Sequence, residues 1–149
     1  MKLRIHAISG ALALATIATF WISTVLAEMF GGPGEIAAAK TGVLYGLAVL
    51  VPAMAAAGGT GFSLGGNWRS PVVNAKKTRM KIIAATGILV LVPSAVFLAM
   101  KAGQGDFDTS FMVVQGIELV AGASNIVLLA LNMRDGLAMR RRKQKPRPA

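Results

Sequence analysis

Apolar residues run almost unbroken through four stretches, residues 5–30, 36–58, 82–100 and 111–133, with polar residues gathered in the gaps. About 20 helical residues cross the ~30 Å hydrocarbon core of a bilayer, so each stretch predicts one membrane span. Each span is expected to be helical, because an unpaired backbone amide is too costly in lipid. Gly31-Gly32-Pro33-Gly34 predicts a tight turn between the first two spans, and residues 103–108 predict another between the last two. The expected fold class is therefore an all-α integral membrane protein, an antiparallel four-transmembrane-helix up-down bundle. Residues 1–133 form its single domain and 134–149 a basic tail. Pro52 and Pro93 lie in the similar strings GLAVLVP and GILVLVP and each removes a helical hydrogen bond, which predicts two bent helices.

Charge gives the bundle an expected direction. Every Lys and Arg except Lys40 and Lys101 falls before the first span, between the second and third, or after the fourth. Glu28, Glu35, Asp106 and Asp108 fall on the opposite side. Positive residues stay on the cytoplasmic side, so both termini are expected there, in a bacterial inner membrane. Residues 1–27 also carry marks of a signal peptide: a basic start, an apolar middle and Val25-Leu26-Ala27. The apolar region is too long for a signal core, and Trp21 and Thr24 interrupt it, so an uncleaved first span is expected.

Composition narrows the chemistry. The 149 residues are 54% hydrophobic and only 15% charged, well below the quarter charged of a soluble domain. No cysteine is present, which removes disulfides and thiolate chemistry, and the single His6 cannot build a multi-histidine metal site. The net charge of +10 would suggest nucleic acid in a soluble protein. Here the charge is topogenic, and no nucleic-acid partner is expected. The tail from Arg140 to Arg147 reads as a disordered basic segment attracted to anionic lipid. Trp68 and Arg69 read as interface anchors.

Helices already in lipid associate through close backbone approach and interhelical hydrogen bonds. Ala7, Ala11, Ala15, Thr19, Ser23 and Ala27 form a small-residue ridge on the first span, and Gly42 and Gly46 a GxxxG step on the second. These suit tight contact between the two, within one bundle or between copies. Ala53, Ala57, Gly61 and Gly65 continue a small row, and the Gly-rich run 58–66 reads as a flexible exit and packing surface. It lacks the strand that a dinucleotide fingerprint requires.

Gln115, Glu118, Gly122, Asn125 and Asn132 share one side of the fourth span. Glu118 lies roughly 12 Å inside the span, where an ionised carboxylate needs a partner, a proton or water. Lys40 is the candidate partner, with Thr41 and Tyr45 as further hydrogen-bonding groups. Two readings follow: Lys40 snorkels outward and Glu118 is a neutral structural acid, or the groups line a site for a proton, ion or small ligand. His6, at the cytoplasmic edge, reads as an interfacial anchor. A haem reading would need a second axial ligand such as Met54, Met80, Met133 or His6 of another copy. No catalytic constellation is present in the sequence, so no enzyme, metal or obligatory cofactor is expected.

Three function classes remain open. One is a non-enzymatic accessory or assembly protein that binds another membrane protein or a second copy. Another is a proton, cation or small-ligand binder using Glu118, Lys40 and Asn125. The third is a haem electron carrier through His6.

Overall fold

The computed structural model describes residues 1–66 and 70–144, and among these there is no strand. Four rods make up the structure. They are α1 (Lys2–Phe30), α2 (Pro33–Gly65), a third rod built from α3 (Pro71–Thr86), a π-helical turn (Gly87–Leu91) and α4 (Val92–Gly103), and α5 (Thr109–Gln144). Each is long and apolar enough to cross a membrane. Trp68, Arg69, Lys145 and Arg147 lie outside the described residues.

The rods pack in cyclic order: α1 against α2, α2 against the third rod, the third rod against α5, and α5 back against α1. Consecutive rods run antiparallel. His6 at the start of α1 meets Ala57 near the end of α2, and Arg79 near the start of α3 meets Asp135 near the end of α5. One end of the bundle thus gathers Lys2, Lys76, Lys77, Arg79 and Arg134, and is called the basic end here. The other, the hairpin end, holds the two tight connections.

Those connections are chemically specified. Gly31 N–H bonds Ala27 O at 2.9 Å and Gly32 N–H bonds Glu35 Oε2 at 2.9 Å, with Pro33 opening α2 where its missing N–H costs nothing. A Cβ on Gly31 would come within 2.7 Å of Ala27 O, so only glycine fits. In the second turn Gly105 adopts φ +71°, a left-handed conformation natural to glycine. Asp108 Oδ1 then caps α5 through Phe111 N–H at 2.9 Å and Ser110 Oγ at 2.6 Å. Lys101 clamps Asp106 and Asp108 at 2.6 and 2.7 Å, and its ammonium, with the Ser110 and Phe111 bonds, holds the Asp108 carboxyl well below the usual carboxylate range.

The helices outrun the apolar stretches toward the basic end. Residues 58–65, expected as a flexible exit, are helical. Helical glycine costs about 1 kcal/mol each. Here Gly61 lets the His6 ring approach and Gly65 seats Lys77, contacts that a side chain would obstruct. Over residues 140–144 the expected disorder of the tail also gives way, since α5 continues to Gln144. Arg, Met, Lys and Gln are good helix formers, and the first breaker is Pro146. The two proline strings differ as well. α2 runs unbroken through Pro52, whereas before Pro93 the ladder slips and Val92 N–H reaches back five residues to Gly87 O.

The α1–α2 contact uses a different face from the expected ridge. Ala13, Ile17 and Thr24 are buried, while Ala7, Ala11, Ala15 and Thr19 are exposed and Ser23 and Ala27 half-buried. Phe20 lies so close over Gly46 that a Cβ there would overlap its ring, and Gly42 faces open space. The four-residue ridge was legible, but the row two residues on, roughly opposite it around the helix, is the one that turns inward, with Ile17 as its bulkiest buried member.

Candidate functional site

A heptad stripe on α5, Phe111, Gln115, Glu118, Gly122, Asn125, Leu129 and Asn132, turns toward the bundle interior. Its polar members meet different elements along the axis.

Near the hairpin end, Lys40 Nζ donates to Glu118 Oε2 at 2.6 Å. Lys40 is 1% exposed and Glu118 12%. The Lys40 side chain therefore points inward and does not snorkel. α2 and α5 are diagonal partners that do not pack against each other, so the long lysine stem crosses the bundle axis to make this bridge. Glu28, on α1, adds a second carboxylate. Its Oε1 is buried without a hydrogen-bond partner. Gln115, one turn from Glu118, is buried with both amide atoms unpaired. Such groups are rare in proteins and call for water or a ligand.

Thr41 and Tyr45, expected to join this cluster, stand apart from it. Both are exposed, Tyr45 by 75%. On a helix they lie about 100° and 140° around from Lys40, which places them outside the bundle.

Two apolar clusters bracket the cluster. Toward the hairpin end, Leu98, Ala102 and Phe111 pack with Ile36, Ala37 and Phe107. That cap includes no residue of α1, the rod that carries Glu28. Toward the basic end, Ile17, Ile83 and Leu129 pack with Leu50 and Met54, closing the axis from all four rods. Between them lies a cavity of about 50 Å³, lined by all four rods and including Thr24, Trp21, Glu118 and Gly122. A water needs roughly 10–15 Å³ of such space, so the volume admits a few, with Glu118 and Thr24 as the polar groups in an otherwise apolar lining. Trp21 Nε1 donates to Leu119 O at 3.0 Å, and Gly122 leaves room for its ring.

Further along, Asn125 donates to Ile83 O at 3.4 Å while its Oδ1 is buried and unpaired. Past the Leu129 cluster, Arg79 pairs with Asp135 at 2.6 Å and reaches Asn132 Oδ1 at 3.5 Å, leaving Asn132 Nδ2 unpaired.

His6 is not at this site. Its Nδ1 lies 3.0 Å from Ala57 O and 3.3 Å from Thr60 Oγ1, which ties α1 to α2 at the basic end. Met54 and Met80, candidates for a second haem ligand, pack around Ile17, Ile83 and Leu129.

Glu28 was not singled out as a site residue in the sequence. It lies three residues before Gly31, and Lys40 lies seven residues after Pro33 on the helix that the turn brings alongside. The fold and site together define a four-helix α protein with a buried, diagonal ion pair on its axis. In comparisons with known proteins, the chain matches no family model, no curated protein and no solved structure.

Proposed function

We propose that the chain is a multi-pass inner-membrane protein, both termini cytoplasmic, whose bundle holds a proton at the Glu28–Lys40–Glu118 cluster. The membrane part rests on where the apolar surface goes. Only 17–33% of each rod's most apolar window is buried, and Leu12, Ile22, Ile88, Leu89, Val120 and Val127 are exposed. Apolar surface on this scale suits lipid as the solvent. The basic residues at one end suit a cytoplasmic face there.

The single observation that carries the proton is the charge count on the axis. Lys40 is the one ammonium bonded there, its partner is the Glu118 carboxylate, and we place Glu28, whose Oε1 is buried without a partner, as a second carboxylate of the same cluster. Fully ionised, the cluster bears one net negative charge in a region that tolerates none cheaply. The other charged groups nearby are already engaged: Lys101 with Asp106 and Asp108, and Glu35 with Gly32 N–H. One proton neutralises the cluster. A metal ion fits less well, because the ammonium of Lys40 occupies the carboxylate oxygen it would need and hard cations demand six or more oxygens. Infrared spectra of the protein in lipid, titrated with pH, test this. A protonated carboxyl band is expected at neutral pH and should vanish or shift in Glu118→Gln and in Glu28→Gln. A spectrum with no such band at any pH above 5 would remove the reading.

A second reading is favoured by the ridge Ala7, Ala11, Ala15 and Thr19, which faces outward and is exposed over four turns. Small residues let a foreign helix approach closely. This suits an accessory role toward another membrane protein or a second copy. Native mass spectrometry in gentle detergent should then show a defined complex that Ala11→Leu disperses. A strictly monomeric, partnerless protein counts against it.

A further inference from the structure

Polar side chains with unused hydrogen-bonding atoms continue along the axis beyond the proposed proton site. From the hairpin end they are Gln115, Asn125 and Asn132, on the same α5 stripe as the paired Glu118. Gln115, Asn125 and Asn132 are each more than nine-tenths buried, and each has at least one side-chain atom without a partner. A bundle that needed only mechanical stability would fill these positions with apolar residues, since each orphaned polar group costs about 1–3 kcal/mol. The orphaned groups also occur at intervals along a line, which a single ligand site would not require.

The line is interrupted once. Leu129 falls between Asn125 and Asn132 on the stripe and packs with Ile17 and Ile83. On one side of this plug lies the water-sized cavity that reaches Glu118, and on the other the Arg79–Asp135 pair at the basic end. The third rod changes from α to π geometry at Gly87–Leu91, beside the same level, and Leu91 contributes both to the cavity lining and to the packing around the plug. Such π turns are frequent at functional sites. At the far end, the apolar cap at the hairpin end draws nothing from α1, the rod that carries Glu28 with its buried, unpartnered Oε1.

We propose that the bundle conducts protons along the α5 stripe, with Glu28 and Glu118 as the entry station and the Ile17–Ile83–Leu129 cluster as a hydrophobic gate. This rests on the proton-site reading and extends it from binding to transfer. A hydronium at the hairpin end gives its proton to a carboxylate oxygen, breaking one O–H bond and forming another. Lys40 keeps the second carboxylate ionised, so the cluster can take the next proton once the first has left. Water in the cavity accepts the proton from the carboxylic acid, and Asn125 and Asn132 orient the water chain on either side of the gate. Release is to water at the basic end. No electrons move, and the ammonium of Lys40 disfavours passage of metal cations along the same route.

The test is purified full-length protein in liposomes holding a pH-sensitive dye, with a pH step across the membrane and valinomycin-clamped potassium. Wild-type vesicles should acidify faster than protein-free ones. Leu129→Ser, which admits water to the gate, should raise the rate at least about tenfold, the change that ~1.4 kcal/mol off a barrier gives. Glu118→Gln in the Leu129→Ser background should return it to the protein-free rate. Asn125→Leu and Asn132→Leu should lower flux while keeping the titrating carboxyl band, which separates transfer from binding and reports an intact cluster. If Leu129→Ser conducts no faster than protein-free vesicles while that band is present, conduction is wrong and binding stands. If the flux survives Glu118→Gln, or the band is absent from folded wild type, the entry station and the proposal built on it both fall.

Discussion

Removing Lys40 should harm the protein more than removing Glu118, and the asymmetry follows from the charge count. At 2.6 Å the Lys40–Glu118 attraction is about 6 kcal/mol at an effective dielectric of 20. Desolvation costs several kcal/mol per ion, so the intact pair contributes little net stability. Breaking it is another matter. Lys40→Met leaves Glu118 and Glu28 with no cation, and both must be neutralised by protons in a dry interior, for a loss of about 3–5 kcal/mol. Glu118→Gln leaves Lys40 with Glu28 as the remaining partner, so the bundle stays neutral. The cost is then closer to one charge-assisted hydrogen bond, roughly 1.5–3 kcal/mol, partly regained by the glutamine amide. The double variant Lys40→Met/Glu118→Gln should cost less than the sum of the singles by about 1–3 kcal/mol. Unfolding equilibria in bicelles by steric trapping, at neutral pH, provide the measurement. Equal losses for Lys40→Met and Glu118→Gln would refute the idea that Glu28 stands ready as a second partner, and a fully additive double variant would refute the bridge itself.

Other expectations are simpler to state. Gly46→Ala should destabilise by about 1–3 kcal/mol because the new methyl meets the Phe20 ring, and Phe20→Leu should recover much of that loss in the same trapping assay. The Asp108 carboxyl is held below its ordinary range first by Lys101, then by Ser110 and Phe111 N–H. Its contribution to the α5 cap is therefore complete above about pH 4, the unfolded value, and fades only as pH falls through the depressed folded one. Carbon NMR should accordingly find Asp108 ionised at a pH where a free aspartate is half protonated, and half protonation there would contradict the cap. His6→Phe should lose the tie to Ala57 O and cost about 1 kcal/mol, with faster amide exchange confined to the basic ends of α1 and α2. Reporter fusions should place both chain ends in the cytoplasm, and one periplasmic end would overturn the proposed orientation.

The number of rods, their order and their antiparallel sense were readable from apolar run lengths and turn residues, because those properties are local. The inward side of α5 was readable too, since polar residues at heptad spacing inside an apolar run can only be tolerated facing the interior. What could not be read was rotation. Nothing in the α1 sequence says whether the Ala7–Ala15 ridge or the Ala13–Ile17 row on the opposite side faces inward, since both are apolar and lipid is as good a solvent as a neighbouring helix. The same ambiguity misplaced Thr41 and Tyr45, which share a helix end with Lys40 but not a face. Glu28 was passed over for a different reason: near a helix end a carboxylate usually reaches water, and nothing local marks its Oε1 as buried. The helical extensions at residues 58–65 and 140–144 escaped because hydropathy marks where lipid ends, not where hydrogen bonding does.

The most direct measurement is solid-state carbon NMR of the side-chain carboxyls of Glu28 and Glu118 in lipid bilayers at neutral pH, assigned with Glu28→Gln and Glu118→Gln. One carboxyl of the two should be protonated and the other ionised against a charged Lys40. Two ionised carboxylates, or two neutral acids beside a neutral lysine, would contradict a one-proton site.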